Sequence, residues 1–237
     1  TKQERKILES ILKSKARARG YVAMAISCKR KRLFAKAAKF YELASELFSR
    51  DPSRVTTARL LLANSLNCKA IVALKEKNFS ESCGFFEEAE KIFEELGKPK
   101  EAVFCKAKKL EAQSREFEAI EDYEKASELL SKAAEALGET NKKLSASYQA
   151  TSLVCLANSL KKVENYEPAA KYFEDAAEKF KQLGDSVHEA MCRGGAAECK
   201  AFQWKLDVNK GYDEIAQAFF KAAEHYEKAR APHALVC

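Results

Sequence analysis

The chain has 237 residues, of which 46% are apolar and 32% charged, and its formal net charge is +7. Only 8 Gly and 4 Pro are present, while Ala, Leu, Lys and Glu recur throughout, which is typical of long helices and excludes a turn-rich β-protein. No stretch approaches the roughly 18 consecutive apolar residues of a membrane span, and residues 1–20 lack the apolar core of a secretory signal. The composition therefore predicts an all-α, cytoplasmic protein.

The helical periods, taken in chain order, divide the sequence into five helix pairs. We predict a first helix over residues 2–32, broken near Gly20, and a second over residues 34–49, ended by Asp51-Pro52-Ser53. Further pairs are predicted over residues 55–96, 99–137, 142–183 and 186–230. Because no composition break separates the pairs, we expect one repeat domain over residues 1–237.

An aromatic anchor opens the second helix of each pair. The anchors are separated by 45, 44, 43 and 46 residues and are Phe34, Phe79, Tyr123, Tyr166 and Tyr212. Three residues later four of the five positions are small: Ala37, Ser82, Ala126 and Ala169, with Ile215 departing. Ten residues later stand Ala44, Ala89, Ala133, Ala176 and Ala222. These offsets return to one helix face, which predicts that small and aromatic residues are buried there.

The fourth pair carries the most specific motif. Within residues 151–180, Leu153, Leu156-Ala157, Leu160 and Tyr166 are followed by two alanines, Ala169 and Ala176. This block resembles the tetratricopeptide signature without a gap. The other blocks depart from that signature, since Lys69-Ala70 and Gln113-Ser114 replace its Leu-Gly pair. The resemblance implies a right-handed superhelical solenoid of about five helix hairpins that binds a partner and is not an enzyme.

The repeats are longer than the family's 34 residues, with an average period of 44.5. In this length, and in the helix stops Leu96-Gly97, Leu137-Gly138 and Leu183-Gly184, the chain resembles the soluble NSF-attachment proteins. That similarity implies an alternative function, an adaptor between a helical-bundle complex and an ATPase. The chain begins at Thr1 and ends on the apolar Leu235-Val236-Cys237, so we expect a fragment of a longer protein.

Catalytic and metal-binding patterns are weak. His188, Cys192 and Cys199 are spaced like one helix face, but a fourth ligand and paired-cysteine spacing are missing, so packing is favoured over a metal site. Cys192 and Cys199, like Cys68, Cys105 and Cys155, lie in Ala- and Leu-rich helical runs, where a free thiol behaves as a small hydrophobe. No phosphate loop or nucleophile elbow occurs. We expect no enzyme activity, no cofactor and no small-molecule substrate.

A binding groove is expected along the first helix of each pair, because a solenoid gathers side chains from several repeats there. Trp204 is placed on the same side by its spacing, as a hot-spot anchor or as a gap-filler between helices. The candidate groove residues are mixed but more often basic than acidic: Asn64, Asn67, Lys75, Lys108, Arg115, Asn158, Lys161, Lys162 and Trp204.

Positive charge is concentrated at the start of the chain. Residues 1–50 contain 14 Lys or Arg and 4 Glu, a net of +10, so the remaining residues carry −3. The candidate partner-binding cations here are Arg17, Arg19, Lys29, Arg30, Lys31 and Arg32. We expect them to bind an acidic protein, with a nucleic acid or an anionic membrane as alternatives. No recurring base-reading position supports a helical-repeat nucleic-acid binder.

Overall fold

The computed structural model describes residues 2–206 and 211–234, and the side chains of residues 12–206 and 211–230. The predictions about the chain ends, at Thr1 and at Leu235-Val236-Cys237, lie outside these residues. The described chain contains no strand and two short 3-10 helices, Pro52–Arg54 and Gly138–Asn141. Its ten α-helices are α1 (Lys2–Arg30), α2 (Phe34–Ser49), α3 (Val55–Lys75), α4 (Phe79–Glu95), α5 (Pro99–Ala119), α6 (Tyr123–Leu137), α7 (Lys142–Lys162), α8 (Tyr166–Leu183), α9 (Ser186–Leu206) and α10 (Tyr212–Ala234).

The predicted helix pairs and their boundaries are confirmed. Each aromatic anchor is the first residue of the second helix of its pair. The predicted break near Gly20 is wrong, since α1 runs through it as one helix. A single glycine costs a long helix only about 1 kcal/mol, which packing of the same helix against α2 can offset.

The small residues close the hairpins as expected. All four small residues three positions after the anchors are fully buried, and so are four of the alanines ten positions after them. Ala222 retains 3% exposure, whereas Ile215 is only half-buried. Because the side chains at these sites are small, the two helices of a hairpin can approach closely and interlock their larger side chains.

The turn within a hairpin repeats a strained conformation. Two residues before the anchor, Arg32, Lys77, Glu121 and Glu164 adopt positive φ angles of 58°, 63°, 57° and 60°. The backbone amide of the following residue donates a hydrogen bond to a carbonyl in the last turn of the preceding helix. Asn165 N, for example, donates to Leu160 O at 2.9 Å. This is the geometry that glycine usually provides at a helix end, and here charged residues adopt it.

The chain divides into two compact units, Thr1–Ala112 and Gln113–Cys237. In unit 1, α1 packs on α2, α2 on α3 and α3 on α4. In unit 2, the same consecutive packing runs from α6 through α7, α8 and α9 to α10. The all-α fold with consecutively stacked helices is thus confirmed within each unit, and the single domain stays a prediction. Across the described residues, no helix is both long and apolar enough to cross a bilayer.

Candidate functional site

The N-terminal basic surface is formed by the six cations Arg17, Arg19, Lys29, Arg30, Lys31 and Arg32 of unit 1. Ala18 and Ala25 are fully buried against the rest of the unit, and they fix the face on which α1 packs. All six cations are exposed, and none forms an ion pair with any side chain that the structure describes. Lys15, in contrast, pairs with Asp51 at 2.9 Å. The six cations are therefore exposed and free of ion pairs among the described residues, with Arg17 and Arg19 in the middle of α1 and the other four at its end and in the following turn.

Lys29 belongs to this surface but also acts on the interior of unit 1. Burial raises the pKa of Cys68 and raises that of Cys105 to about 12, while the positive charge of Lys29 lowers both.

The other candidate residues of unit 1 are not free. Asn67 is 6% exposed, its Nδ2 lies 3.8 Å from Cys105 Sγ, and its Oδ1 has no hydrogen-bond partner, so burial removes it from the accessible groove. Asn64 donates to Leu60 O at 2.9 Å. Lys75 lies over the Phe34 ring, 5.0 Å from its centroid. Lys108 pairs with Glu111 at 2.6 Å.

Unit 2 brings three predicted residues together in a groove. Arg115, Asn158 and Lys161 line a cavity of about 310 Å³ whose apolar lining includes Val154 and Met191. Here we define this cavity as the unit 2 groove. Arg115 pairs with Glu118 at 2.9 Å, so its charge is already neutralised. Lys161 also has a carboxylate neighbour, so the two cations of this groove are both paired, and binding there stays a prediction.

The neighbour of Lys161 is part of a network that the sequence did not reveal. Lys161 Nζ lies 2.9 Å from Glu198 Oε2, and the Tyr226 hydroxyl donates to the same oxygen at 2.8 Å. Burial and Glu198 together raise the pKa of Tyr226 above its usual range, so the phenol stays protonated and donates. The ring fits because Gly194 lacks a Cβ, which would lie 2.7 Å from Tyr226 Cε1. The adjacent Gly194-Gly195 in a helix was the available sequence signal.

Two predicted residues of unit 2 lie elsewhere. Trp204 lines a different cavity of about 420 Å³, with Glu174 of α8 and Lys221 of α10. This cavity is on the opposite side of α9, so Trp204 is not brought together with Arg115, Asn158 and Lys161. Lys162 lies at a hairpin turn and pairs with Glu121 at 3.1 Å.

The groups near the unit 2 groove suit packing and hydrogen bonding. Burial raises the pKa of Cys155 and of Cys192 to about 12, which keeps both thiols protonated. His188 Nδ1 lies 2.8 Å from Asp185 Oδ2, and its ring stacks on Phe180. On the side of the Trp204 cavity, burial first and nearby cations second lower the pKa of His225. Among the side chains described, no three His, Cys, Asp or Glu residues are arranged to hold a metal ion.

Comparisons with known proteins were made by sequence and by structure. No family model matches the chain, and no curated protein is similar enough in sequence to match it. Solved structures do match, among them the crystal structure of BtubC (BKLC) from P. vanneervenii, with 16% sequence identity and a TM-score of 0.51. The alignment covers 100% of this chain and 92% of that one. At this identity the similarity shows one thing, that the chain shares an all-helical fold with that protein.

Proposed function

We propose that this protein is a non-enzymatic scaffold or adaptor that binds an acidic protein segment through the N-terminal basic surface. The observation that carries the proposal is the pairing pattern of the candidate cations. Those of α1 and its following turn have no ionic partner within the described chain, whereas Lys108, Arg115, Lys161 and Lys162 each pair with a carboxylate.

An unpaired cluster of cations favours an anionic partner for a physical reason. Like charges held together repel one another, and an acidic segment relieves that repulsion without breaking an existing pair. The net charges of the two units also support an anionic partner for unit 1. Unit 1 has 25 basic and 14 acidic residues, a net of +11, whereas unit 2 has 17 and 21, a net of −4.

The repeat architecture supports a binding role of the tetratricopeptide kind. The recurring anchors and buried alanines fit stacked hairpins, whose function is usually to present an extended surface to a partner. The first helices α3, α5, α7 and α9 each have 21 residues, and this length favours the attachment-protein-like adaptor as a second candidate. Both candidates place recognition on surfaces and not in a catalytic pocket.

Charge reversal tests the proposal. The variant carries Lys29→Glu, Arg30→Glu, Lys31→Glu and Arg32→Glu. The fold should tolerate it, since Glu76 and Glu121 occupy the equivalents of positions 31 and 32 in later turns. A matched control reverses four exposed lysines of unit 2 that form no ion pair with the described side chains, namely Lys143, Lys171, Lys205 and Lys228.

The probe is a labelled Glu-rich helical peptide, with single-stranded RNA of equal charge beside it. We expect the N-terminal variant to lose about tenfold or more in peptide affinity at low salt and the control to lose about threefold or less. Equal losses in both variants would place recognition outside the N-terminal basic surface. Tighter binding of the RNA than of the peptide would favour the nucleic-acid alternative.

A further inference from the structure

Successive hairpins join through one recurrent contact. In α2, α6 and α8, small residues four and eleven positions after the anchor face the first helix of the next hairpin, whereas α4 carries Glu90 at the second of these positions. Ser65 Oγ of α3 donates to Ala38 O of α2 at 2.9 Å. In unit 2, Ser152 and Ser127 hydroxyls lie 2.8 Å apart, and Ser145 Oγ donates to Ala134 O at 2.7 Å. Small side chains on both sides let the backbones approach within hydrogen-bonding reach.

Helix α10 keeps this contact face, and no residue that the structure describes packs on it. Ala216 and Ala223 of α10 stand at the same two offsets from Tyr212, and both are exposed. Between them Phe220 is 72% exposed, at a position where α2 and α8 carry Glu. Three exposed carboxylates, which form no ion pair with the described side chains, surround this apolar face: Asp213, Glu224 and Glu227.

The first helix keeps the complementary face. Gly20 of α1 lies fourteen residues before its anchor, as Ser65 and Ser152 do, and a Cβ there would meet no atom within 4 Å. Ala16 and Ala23 flank it on the same face and are exposed, and Met24 beside them is 48% exposed. This outer face of α1 is rimmed by cations of the N-terminal basic surface: Arg17, Arg19 and Arg30.

We propose that the outer face of α10 docks on the outer face of α1 of a second copy of this chain, continuing the helix stacking from one copy to the next. In this contact the acidic residues around Phe220 lie opposite the basic residues around Gly20. The alanines of α10 pack on the small residues of α1, as small residues pack between successive hairpins inside each unit. The contact is heterologous, since each copy uses a different face, and such contacts build chains of copies unless their rotation closes a ring. This contact between copies differs from the proposed binding of an acidic partner, because apolar and small residues lie at the centre of the contact and charged residues only at its edge.

Gly20→Leu tests this contact without removing any charge. The side chain projects into open space in one chain, so the variant should fold, but it would separate the α1 face from an incoming helix. Gly84→Leu in α4 is the matched control, because a Cβ at that exposed glycine also meets nothing within 4 Å. Phe220→Glu removes the apolar centre from the other side.

Sedimentation equilibrium over a range of concentrations gives the outcome. We expect the weight-average mass of wild type and Gly84→Leu to rise above the 26.5 kDa of one chain, and to rise less at high salt. Gly20→Leu and Phe220→Glu should each weaken association about tenfold or more. A wild type that stays at one chain's mass, or a Gly20→Leu protein that associates as wild type does, would overturn the proposal. Gly20→Leu and Phe220→Glu leave every cation of the N-terminal basic surface in place, so the acidic-peptide affinity of these two variants separates a failure of this proposal from a failure of the proposed function.

Discussion

Six cations near the start of the chain and four in α5 and α7 are the same residue types on similar helix faces, yet only the later ones have carboxylate partners. Lys161 illustrates the later set, since Glu198 and Tyr226 hold it in a network across α7, α9 and α10. Arg19 illustrates the earlier set, exposed and without an ion pair to any described residue. Charge alone therefore does not identify a binding surface, because a paired cation belongs to the fold.

What the two units share can be tested by overfilling one hairpin crossing in each. Ala89 in unit 1 and Ala176 in unit 2 are fully buried ten residues after their anchors. We expect Ala89→Leu and Ala176→Leu each to destabilise by about 1–3 kcal/mol through overpacking. Urea denaturation monitored by helicity measures this. Loss in one variant only would mean that the two units do not use the same crossing.

The difference between the six unpaired cations near the start of the chain and the four paired cations of α5 and α7 can be tested by reversing the charge of one residue from each set. Lys161→Glu puts a second carboxylate beside Glu198, both only partly exposed, and should cost about 1–2 kcal/mol. Arg19→Glu should change stability by about 0.5 kcal/mol or less, because it breaks no pair. The same denaturation curves measure both. If Arg19→Glu proved as damaging as Lys161→Glu, the earlier cations would also be part of the fold.

A further small effect is expected at the strained turns, which occur in both units. Lys77→Gly in unit 1 and Glu164→Gly in unit 2 relieve a positive φ and should each raise stability by about 0.5–1 kcal/mol. The gain is partial because glycine also loses more backbone freedom on folding. Thermal melts against wild type measure it, with Gly84→Ala as a helix-interior control. A loss of stability in both variants would mean that the Lys77 and Glu164 side chains stabilise the turns by contacts of their own.

The sequence was sufficient for the helices because hairpin boundaries follow from local signals. Anchors, small residues and the turn glycines Gly97, Gly138 and Gly184 all recur with the period of the repeat. The buried thiols also followed from their apolar helical setting, as with Cys68 and Cys199.

Predicting which side of a helix a residue occupies was less successful, because the anchor spacing is not constant. A buried small residue lies nine positions before the anchor in the first four pairs, as Ala70 and Ala157 do, but eleven positions before Tyr212, at Ala201. Two extra residues rotate a helix position by about 200°, so Trp204 lies on the other side of α9 from the one that its spacing predicted. Counted from the buried small residue, Phe202 holds the place that Arg115 and Asn158 hold.

Ion pairs and buried amides were not predictable at all. Asn67 is enclosed by its contact with Cys105, thirty-eight residues away, and nothing local signals that approach. Pairing of Lys161 with Glu198 likewise depends on how α7 and α9 are positioned, which a single repeat does not encode.

The left-handed turn residues have a consequence for how the repeats can diversify. Since the backbone there is strained for every residue with a Cβ, exchanging one charged side chain for another leaves the strain unchanged. The sign of the turn is therefore free to vary, and it passes from Arg32 and Lys77 to Glu121 and Glu164 along the chain. Each hairpin can thus present a positive or a negative side chain at the same place in the turn, and a substitution can change the sign of that charge without changing the fold.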